Sequence, residues 1–319
     1  MKILITGATG LVGKAIVALC GERHIAVNYL TTNRQKIVSA PYYQGFYWNP
    51  EKGEIDEQSL KGVTAIINLG GATISKRWTK AYKERILSSR VDGIKLLRNT
   101  LQRIGPNQIS YFVSASAIGI YPDSETNFYD EDETAIASDF LGSVTKAWEE
   151  EVNKLNTPNL TIAKIRIGLV LSNKGGALPK LAVPVKSFMG AAFGSGNQWQ
   201  SWIHIQDLAR MFLYVLENNL GGVFNGVGPN PVTNSKLLKE LAGTLQRPLL
   251  LPNIPKFVMK MALGEMSYLL FASQRVSSKK IQEEGFVFNF QNIRMSLEDL
   301  YANKTTKGNA PDSVPDQHI

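Results

Sequence analysis

The chain has almost no cysteine and no long uninterrupted apolar run. Cys20 is the single cysteine among 319 residues, so an intrachain disulfide cannot form and metal sites built from several cysteines are excluded. The longest apolar stretch, 257–271, contains a lysine and a glutamate and is too short to span a bilayer. A strand that begins at residue 2 leaves no room for a signal peptide. We therefore expect a cytoplasmic protein in a reducing compartment.

Acidic residues are fewer than basic ones, 27 against 35, which gives a formal net charge of +8. The basic residues are scattered and no nucleic-acid-binding motif accompanies them, so the charge does not indicate a nucleic-acid partner. It is suited to attract an anionic ligand such as a dinucleotide. We expect a small-molecule substrate and neither nucleic acid nor a membrane as partner, and a homodimer stays an open alternative.

The chain does have a glycine-rich turn directly after its first apolar run. The sequence Thr6-Gly7-Ala8-Thr9-Gly10-Leu11-Val12-Gly13 follows the run and precedes an amphipathic helical pattern. Glycines at this spacing permit a tight turn, a close approach to a pyrophosphate and close packing of the helix on the strand. Main-chain N–H groups at the helix start then face the phosphates. We predict cofactor contacts at Gly7, Thr9, Gly10, Leu11, Val12 and Gly13; the alternative is an ordinary glycine-rich turn.

Strand-like and helical patterns alternate through the first two thirds of the chain. The strand-like runs are short, rich in β-branched residues and apolar on both faces; they lie at 3–6, 25–30, 46–48, 63–69, 109–113 and 160–167. Apolar residues at steps of three and four predict helices over 79–104 and 138–155. Buried strands with intervening helices indicate an α/β fold, a Rossmann-type doubly wound parallel sheet. Ligands of such sheets bind beyond the carboxyl ends of the strands.

After residue 168 the pattern loosens and suggests a smaller lobe. We predict a dinucleotide-binding domain over 1–230, with 171–199 contributing to the substrate side, and a small C-terminal α/β lobe over 231–303. Thr233 has the residue type of an N-cap and predicts a helix that follows it to residue 245. Residues 304–319 are polar with two prolines and are expected to be a disordered tail.

Several motifs occur in an order that resembles one protein family. The glycine turn resembles that of the extended short-chain dehydrogenase/reductases. The further motifs resemble their atypical epimerase-family branch, the sugar-nucleotide-epimerase-like proteins with a C-terminal domain of unknown function. These motifs are Asn68-Leu69-Gly70-Gly71-Ala72, Arg77-Trp78-Thr79, Ser88-Ser89-Arg90-Val91, Ser114-Ala115-Ser116-Ala117, Ser201-Trp202-Ile203-His204 and Leu263-Gly264-Glu265-Met266. The resemblance implies cofactor contacts at Leu69, Gly70, Gly71, Arg90, Ser114, Ala115, Lys146 and Ile167.

The end of the second strand usually decides between the two nicotinamide cofactors. An acidic residue there binds the ribose 2′-hydroxyl of NAD, and a basic one binds the 2′-phosphate of NADP. The segment 30–36 carries no carboxylate, and Arg34 could pair with a phosphate. The family usually has arginine where this chain has Thr32. We expect contacts from Thr32 and Arg34 and favour NADP over NAD; alternatively, Arg34 is a solvated residue.

The set of residues that transfers protons in the family is incomplete in this sequence. The resemblance implies a serine after the fifth strand and a Tyr-x-x-x-Lys pair on the next helix. Ser116 occupies the serine position. Alignment on Lys146 places Gly142 at the tyrosine, and alignment on the downstream glutamates places Leu141 and Thr145 at the pair. Neither alignment supplies a phenol, so the usual mechanism cannot be carried over.

Three residues are left as catalytic candidates: Ser116, Tyr121 in the loop after the fifth strand, and His204. Histidine exchanges protons near neutral pH, but Tyr121 and His204 have equally good structural interpretations. The sequence therefore predicts an NADP-dependent oxidoreductase or epimerase-like enzyme for an unknown small molecule, with a nucleotide sugar as one option. The alternative is a non-catalytic NADP(H)-binding regulatory or sensor protein.

Overall fold

The computed structural model describes residues 1–105, 108–155 and 159–301. The predicted disordered tail 304–319 lies outside the described residues. The strands are β1 Lys2–Thr6, β2 Ala26–Thr31, β3 Ser39–Ala40, β4 Tyr43–Asn49, β5 Glu54–Ile55, β6 Ala65–Asn68, β7 Tyr111–Ala117, β8 Phe128–Tyr129, β9 Thr161–Ile167, β10 Leu169–Leu171, β11 Trp199–Gln200, β12 Trp202–His204, β13 Gly222–Gly226, β14 Val232–Thr233 and β15 Arg275–Val276. The helices are α1 Leu11–Glu22, α2 Lys80–Ile104, α3 Phe140–Asn153, α4 Leu178–Lys186, α5 Ile205–Glu217, α6 Asn234–Thr244, α7 Lys256–Leu263, α8 Tyr268–Phe271, α9 Lys279–Glu283 and α10 Ile293–Tyr301.

One large sheet organises the chain, in the strand order β13-β9-β7-β6-β1-β2-β4-β3, with β5 beside β4. The strands from β4 to β13 along this order are parallel, and only β3 and β5 run antiparallel to β4. The order reverses at β1, because β2 and β6 lie on its two sides. This arrangement is the predicted Rossmann-type sheet, and its switch point lies at the glycine turn.

The central strand β7 is longer than the sequence predicted. It extends to Ala117, whereas the apolar pattern ended at residue 113. The added residues include Ser114 and Ser116, whose polar side chains suggested a loop. Both are buried because neighbouring side chains satisfy their hydroxyls: Asn68 Nδ2 donates to Ser114 Oγ, and Ser116 Oγ donates to Glu149.

Side-chain caps fix where the helices that flank the site begin. Thr79 Oγ1 accepts the N–H of Tyr82 at the start of α2, and Asp139 Oδ1 accepts two N–H groups at the start of α3. Thr233 caps α6 as predicted. These caps place two long helices against one face of the sheet, next to the carboxyl ends of β6 and β7.

In the described residues, the apolar interior forms one large cluster around the sheet, a second one towards the C-terminus and two small ones. The second cluster joins α4, α6 and α10 through residues that include Leu178, Leu237, Leu241 and Leu297. Residues from 171–199 thus pack with the C-terminal helices, and the lobe boundaries themselves stay a prediction. Across the described ranges, no helix has the length and apolarity needed to cross a bilayer.

Candidate functional site

The backbone of the turn between β1 and α1 is packed so closely that two of its positions require glycine. Gly7 has a φ of +71°, and a Cβ on it would lie 2.9 Å from the carbonyl oxygen of Leu69. A Cβ on Gly13 would lie 2.3 Å from the carbonyl oxygen of Gly7. Helix α1 starts at Gly10 without a side-chain cap and without an acidic residue in its first turn. Its first N–H groups are therefore available for the phosphates of a dinucleotide.

Side-chain hydrogen bonds hold the loop that follows β6, next to the glycine turn. Thr6 Oγ1 donates to Asn68 Oδ1 at 2.7 Å and accepts the N–H groups of Leu69 and Gly70 at 3.0 Å. Asn68 in turn donates to Ser114. Ser114 is fully buried, so it supports the Leu69–Gly70 loop from below and its hydroxyl is not on the cofactor surface. Ala115 is buried beside it.

A groove of about 420 Å³ extends from the glycine turn past the end of β2. The predicted residues Gly7, Thr9, Thr32, Gly70 and Gly71 line it together. Other lining residues include Trp48, Asn49, Arg85 and Asp92. Gly10 and Leu11 line a neighbouring open groove, while Val12 packs against the main core. Such a groove, at the adenine end of a Rossmann site, fits the adenosine half of a dinucleotide.

Arg34 does not line this groove. It is exposed in a short 3₁₀ helix, and its guanidinium lies 3.7 Å from the centre of the Tyr47 ring. The exposed Arg85 on α2 lines the groove instead. No sequence pattern singles out Arg85, because it reaches the groove only through the packing of α2 against Trp48 and Pro50.

Arg90 lies between the groove and a second cavity. Its Nη1 donates to the carbonyl oxygens of Ala72 and Ile86, and its guanidinium carbon lies 5.2 Å from the centre of the Trp148 ring. Burial lowers the pKa of Arg90 to about 10. A Cβ on Gly71 would lie 3.2 Å from the Arg90 guanidinium, so a larger residue there would require a small shift of that side chain.

The second cavity, of about 190 Å³, lies beyond the carboxyl ends of β7 and β9. Its wall is mainly apolar. Lining residues are Ile74, Arg90, Ala117, Ile118, Gly119, Leu141, Val144, Thr145, Trp148, Ile167, Gly168, Leu169, Trp199, Gln200, Ser201, Tyr268, Leu269, Ala272 and Gln274. The predicted residues Arg90 and Ile167 are among them. The predicted catalytic residues Ser116, Tyr121 and His204 are not.

Ser116 and Tyr121 belong to a buried polar network beneath the cavity. Ser116 Oγ donates to Glu149 Oε1 at 2.6 Å, and Arg166 donates to both oxygens of Glu149. Arg166 also donates to the Tyr121 hydroxyl, which donates to Asn225. Each hydroxyl therefore has its partners within the protein interior, which favours the structural interpretation of Tyr121 and gives Ser116 the same role.

The charges of this network stabilise one another. Burial alone would raise the pKa of the Glu149 carboxyl, but Arg166, together with Ser116 and Lys164, outweighs burial and holds that pKa below its usual value. Burial would lower the pKa of Arg166, but Glu149 raises it. Burial also raises the pKa of Tyr121 to about 12, so its phenol stays neutral. The sequence did not single out Glu149, because only the fold brings it under Ser116.

Helix α3 brings the residues of one of the two possible alignments to the cavity. Leu141 and Thr145 line it, which favours the alignment that places them at the tyrosine and the lysine. Lys146 points outwards; its side chain is 55% exposed and lies 3.9 Å from Glu150 on the same helix. Lys146 therefore faces away from the cavity, since consecutive residues face different sides of a helix, and its contact with the cofactor stays a prediction that this orientation does not support.

His204 is placed in a structural cluster at the start of α5. Its Nδ1 accepts the N–H of Gln206, its Nε2 lies 3.2 Å from Asp299, and its ring stacks on Phe290 at 3.7 Å. The side chain is fully buried, and burial lowers its pKa despite the nearby carboxylate. A neutral ring is also what the cap requires, because Nδ1 must keep its lone pair. The structure favours the structural interpretation of His204.

One phenol does reach the cavity, and it comes from the C-terminal part of the chain. Tyr268 in α8 lines the wall, and its hydroxyl donates to Asp139 Oδ2 at 2.7 Å. Burial, together with this carboxylate, raises the pKa of the Tyr268 phenol. No sequence signal marks Tyr268, since its distance from α3 along the chain hides the contact.

Comparisons with known proteins agree with this geometry. The profile of the NAD dependent epimerase/dehydratase family matches residues 3–146, and that of a domain of unknown function, DUF1731, matches 254–300. An epimerase family protein of Staphylococcus haemolyticus is 35% identical over 94% of this chain and 98% of its own. The crystal structure of human epimerase family protein SDR39U1 with NADPH has a TM-score of 0.85 at 26% identity, covering 95% of this chain and all of that one. A nucleoside-diphosphate sugar epimerase structure from Corynebacterium glutamicum has a TM-score of 0.75 at 26% identity, covering 95% of this chain and 58% of that one.

Proposed function

The chain belongs to the epimerase family of extended short-chain dehydrogenase/reductases, and we propose that it is an NADP(H)-dependent oxidoreductase for a small, largely apolar molecule. One observation carries this proposal. The adenine-end groove, the bare start of α1 and the apolar cavity follow one another along the carboxyl edge of the sheet. A nicotinamide cofactor bound along this edge supplies a hydride or accepts one. The groove, helix start and cavity would hold its adenosine, its phosphates and its nicotinamide, respectively.

The NADP form of the cofactor fits the adenine end better than NAD. No acidic residue follows β2, and the two acidic residues that line the groove, Glu51 and Asp92, come from other elements. Arg85 lines the groove, and Arg34 lies outside it, stacked on Tyr47. A guanidinium is well suited to a phosphate monoester. The human relative solved with NADPH supports the same choice.

The cavity supports a small substrate. Its volume of about 190 Å³ is below that of pockets that hold drug-sized ligands, so the enclosed space favours a small molecule over a complete nucleotide sugar. Its polar groups are few, with Arg90, Thr145 and Gln274 among them. The nucleotide sugar option from the sequence stays a proposal, for which the Corynebacterium relative's name is the support.

Tyr268 is the proton donor that this geometry favours. Leu141 occupies the tyrosine position of α3 and cannot transfer a proton, whereas Tyr268 brings a neutral phenol to the same cavity. During reduction of a carbonyl, the Tyr268 hydroxyl would turn from Asp139 and give its proton to the developing alkoxide oxygen. Positioned proton transfer of this kind contributes about 10²–10⁴-fold to a rate.

The test is a turnover assay with the intact protein. We expect NADPH to be consumed when pools of small carbonyl compounds are added. Tyr268→Phe should then lower kcat by at least about a hundredfold and leave the NADPH dissociation constant unchanged. Tyr82→Phe removes a hydroxyl that donates to the Thr73 carbonyl outside the cavity and is the matched control. Equal kcat values for Tyr268→Phe and the intact protein would remove Tyr268 from the mechanism.

A second candidate function rests on the absence of a tyrosine from the corresponding position of α3. Ser116 and Tyr121 are tied into the buried network and Leu141 is inert, which also suits a protein that binds NADP(H) without turnover and reports its redox state. Tight binding of NADPH and NADP without consumption across the carbonyl and alcohol pools would favour this function. Consumption of NADPH by any pool would exclude it.

A further inference from the structure

Helix α7 exposes its apolar side chains to solvent. None of its eight residues is buried, and Phe257 and Met261 are 65% and 80% exposed. The loop before it exposes Leu250 at 69% and Leu251 at 50%. A helix on a globular protein normally packs its apolar stripe against the core. Contiguous exposed apolar side chains mark an interaction surface.

The exposed side chains of Phe188 and Met189, directly after α4, extend this surface. Residues 192–194 run beside residue 254: Ile254 N–H donates to the Ala192 carbonyl at 2.8 Å, and Gly194 N–H donates to the Ile254 carbonyl at 2.9 Å. The Arg247 guanidinium lies 5.2 Å from the Phe188 ring centre, so the end of α4 adjoins the 247–251 loop. We call the combined surface the docking face; its apolar residues are Phe188, Met189, Leu250, Leu251, Phe257 and Met261.

The two sequence segments that form the docking face contain basic but no acidic residues. The sequence has no aspartate or glutamate between Glu151 and Asp207, and none between Glu240 and Glu265. Five exposed cations accompany the apolar residues: Lys180, Lys186, Arg247, Lys256 and Lys260. None of the five forms an ion pair with a residue that the structure describes. The surface therefore offers both apolar side chains and unneutralised positive charge.

We propose that the docking face binds the surface of a membrane that contains anionic lipids. Phenylalanine, leucine and methionine side chains insert at the boundary between headgroups and acyl chains, and lysines beside them are held by lipid phosphates. A second copy of the chain is a poorer partner, because a two-fold contact would place two purely cationic faces against each other. This inference goes beyond the proposed function and replaces the expectation from composition that no membrane is a partner.

The position of α7 connects this surface to the cavity. The helix ends at Leu263, and the chain continues through Gly264 to Tyr268 and Leu269, which line the cavity wall. Only a short 3₁₀ segment, Gly264–Ser267, separates the docking face from those residues. A membrane bound at α7 would therefore lie only a few residues along the chain from the cavity wall.

The test is co-sedimentation of the full chain with vesicles. We expect binding to phosphatidylcholine vesicles that contain phosphatidylglycerol, no binding to pure phosphatidylcholine vesicles, and release by high salt. The double variant Lys256→Glu/Lys260→Glu should lose at least about tenfold in partition coefficient. Phe257→Ser/Met261→Ser should lose about tenfold or more at low salt, because it removes two exposed apolar side chains that would become buried in the membrane.

Matched controls lie on another part of the surface. Val287 is 66% exposed and Lys279 lies in α9, so Val287→Ser and Lys279→Glu change similar side chains outside the docking face and should bind vesicles like the intact chain. Unchanged NADPH affinity and circular dichroism show that each variant is folded and keep this test separate from the proposed function. The proposal is overturned if the intact chain ignores anionic vesicles at low salt or if folded face variants partition like the intact chain. It is equally overturned if sedimentation velocity shows a dimer that Phe257→Ser/Met261→Ser dissociates.

Discussion

The adenine end and the substrate end of this site are built in different ways. At the proposed adenine end, the main chain forms the surface: Gly7, Gly10 and Gly13 shape the turn, and the start of α1 has no side-chain cap. At the proposed substrate end, side chains form the cavity wall, and Leu141 and Thr145 are among them. Main-chain sites tolerate few changes because any Cβ fills them, whereas a side chain that acts in chemistry can be replaced while the fold persists.

The largest effect is expected from a substitution of Glu149, which lies beneath the cavity. Glu149→Ala leaves Arg166 as a buried cation without its carboxylate, and we expect a loss of about 3–5 kcal/mol in the free energy of unfolding. Glu150→Ala, one residue on, removes an exposed partner of Lys146 and should cost less than about 1 kcal/mol. Urea denaturation measures both. Similar losses for the two variants would mean that the network under the cavity is not what stabilises that end.

The main-chain character of the adenine end is tested at Gly13. A Cβ at Gly13 would overlap the Gly7 carbonyl and displace the turn, so Gly13→Ala should weaken NADPH binding on the order of a hundredfold. Gly21→Ala, on the same helix with nothing within 4 Å of its Cβ, should bind NADPH normally. Fluorescence titration with NADPH gives both constants. Normal binding by Gly13→Ala would show that the turn does not hold the phosphates.

A smaller effect is expected from substitution of Arg85, the side chain that we expect to favour NADPH over NADH at the adenine end. Arg85→Ala should weaken NADPH binding about tenfold, with little change for NADH, because a guanidinium–phosphate contact is lost. Arg34→Ala should have a weaker effect, since Arg34 lies outside the groove. Parallel titrations with NADPH and NADH report the selectivity. A larger loss for Arg34→Ala would restore the assignment made from the sequence.

The smallest effect lies outside both ends, at His204. Its pKa in the folded chain is below the ordinary 6.5, so the unfolded chain binds more protons as the pH falls through 6.5. Stability should therefore be present above pH 6.5 and be lost below it, by at most about 1.4 kcal/mol per pH unit. His204→Asn keeps an N-cap acceptor and cannot titrate, so its stability should fall less between pH 7.5 and 5.5, whereas the exposed His24→Asn should follow the intact chain. Identical pH profiles for His204→Asn and the intact chain would contradict this assignment.

The sequence predicted the sheet and the glycine turn because both depend on local patterns. Continuous apolar runs identify buried strands, and Gly7 to Gly13 carry the turn in their spacing. Ser116, Tyr121 and His204 were chosen by residue type and family position, and none of them lines the cavity. Their neighbours Glu149, Asn225 and Asp299 are distant in sequence, so no local pattern shows that these side chains are held in the protein interior. Tyr268 was missed for the same reason.

Lys146 illustrates a second limit. The family pair is read from a helix, on which a shift of one residue rotates a side chain by about 100°, and the absence of the tyrosine removed the residue that would have fixed the register. The structure favours the register with Leu141 and Thr145 at the pair, because both line the cavity while Lys146 faces solvent.

The most direct test of the central claim is calorimetric titration of the intact chain with NADPH and with NADH. The main-chain turn at Gly7–Gly13, joined to a groove lined by Arg85, predicts saturable one-to-one binding of both, with NADPH the tighter ligand. Folded protein that binds neither nucleotide would contradict the account, because the start of α1 would then have no phosphates to hold.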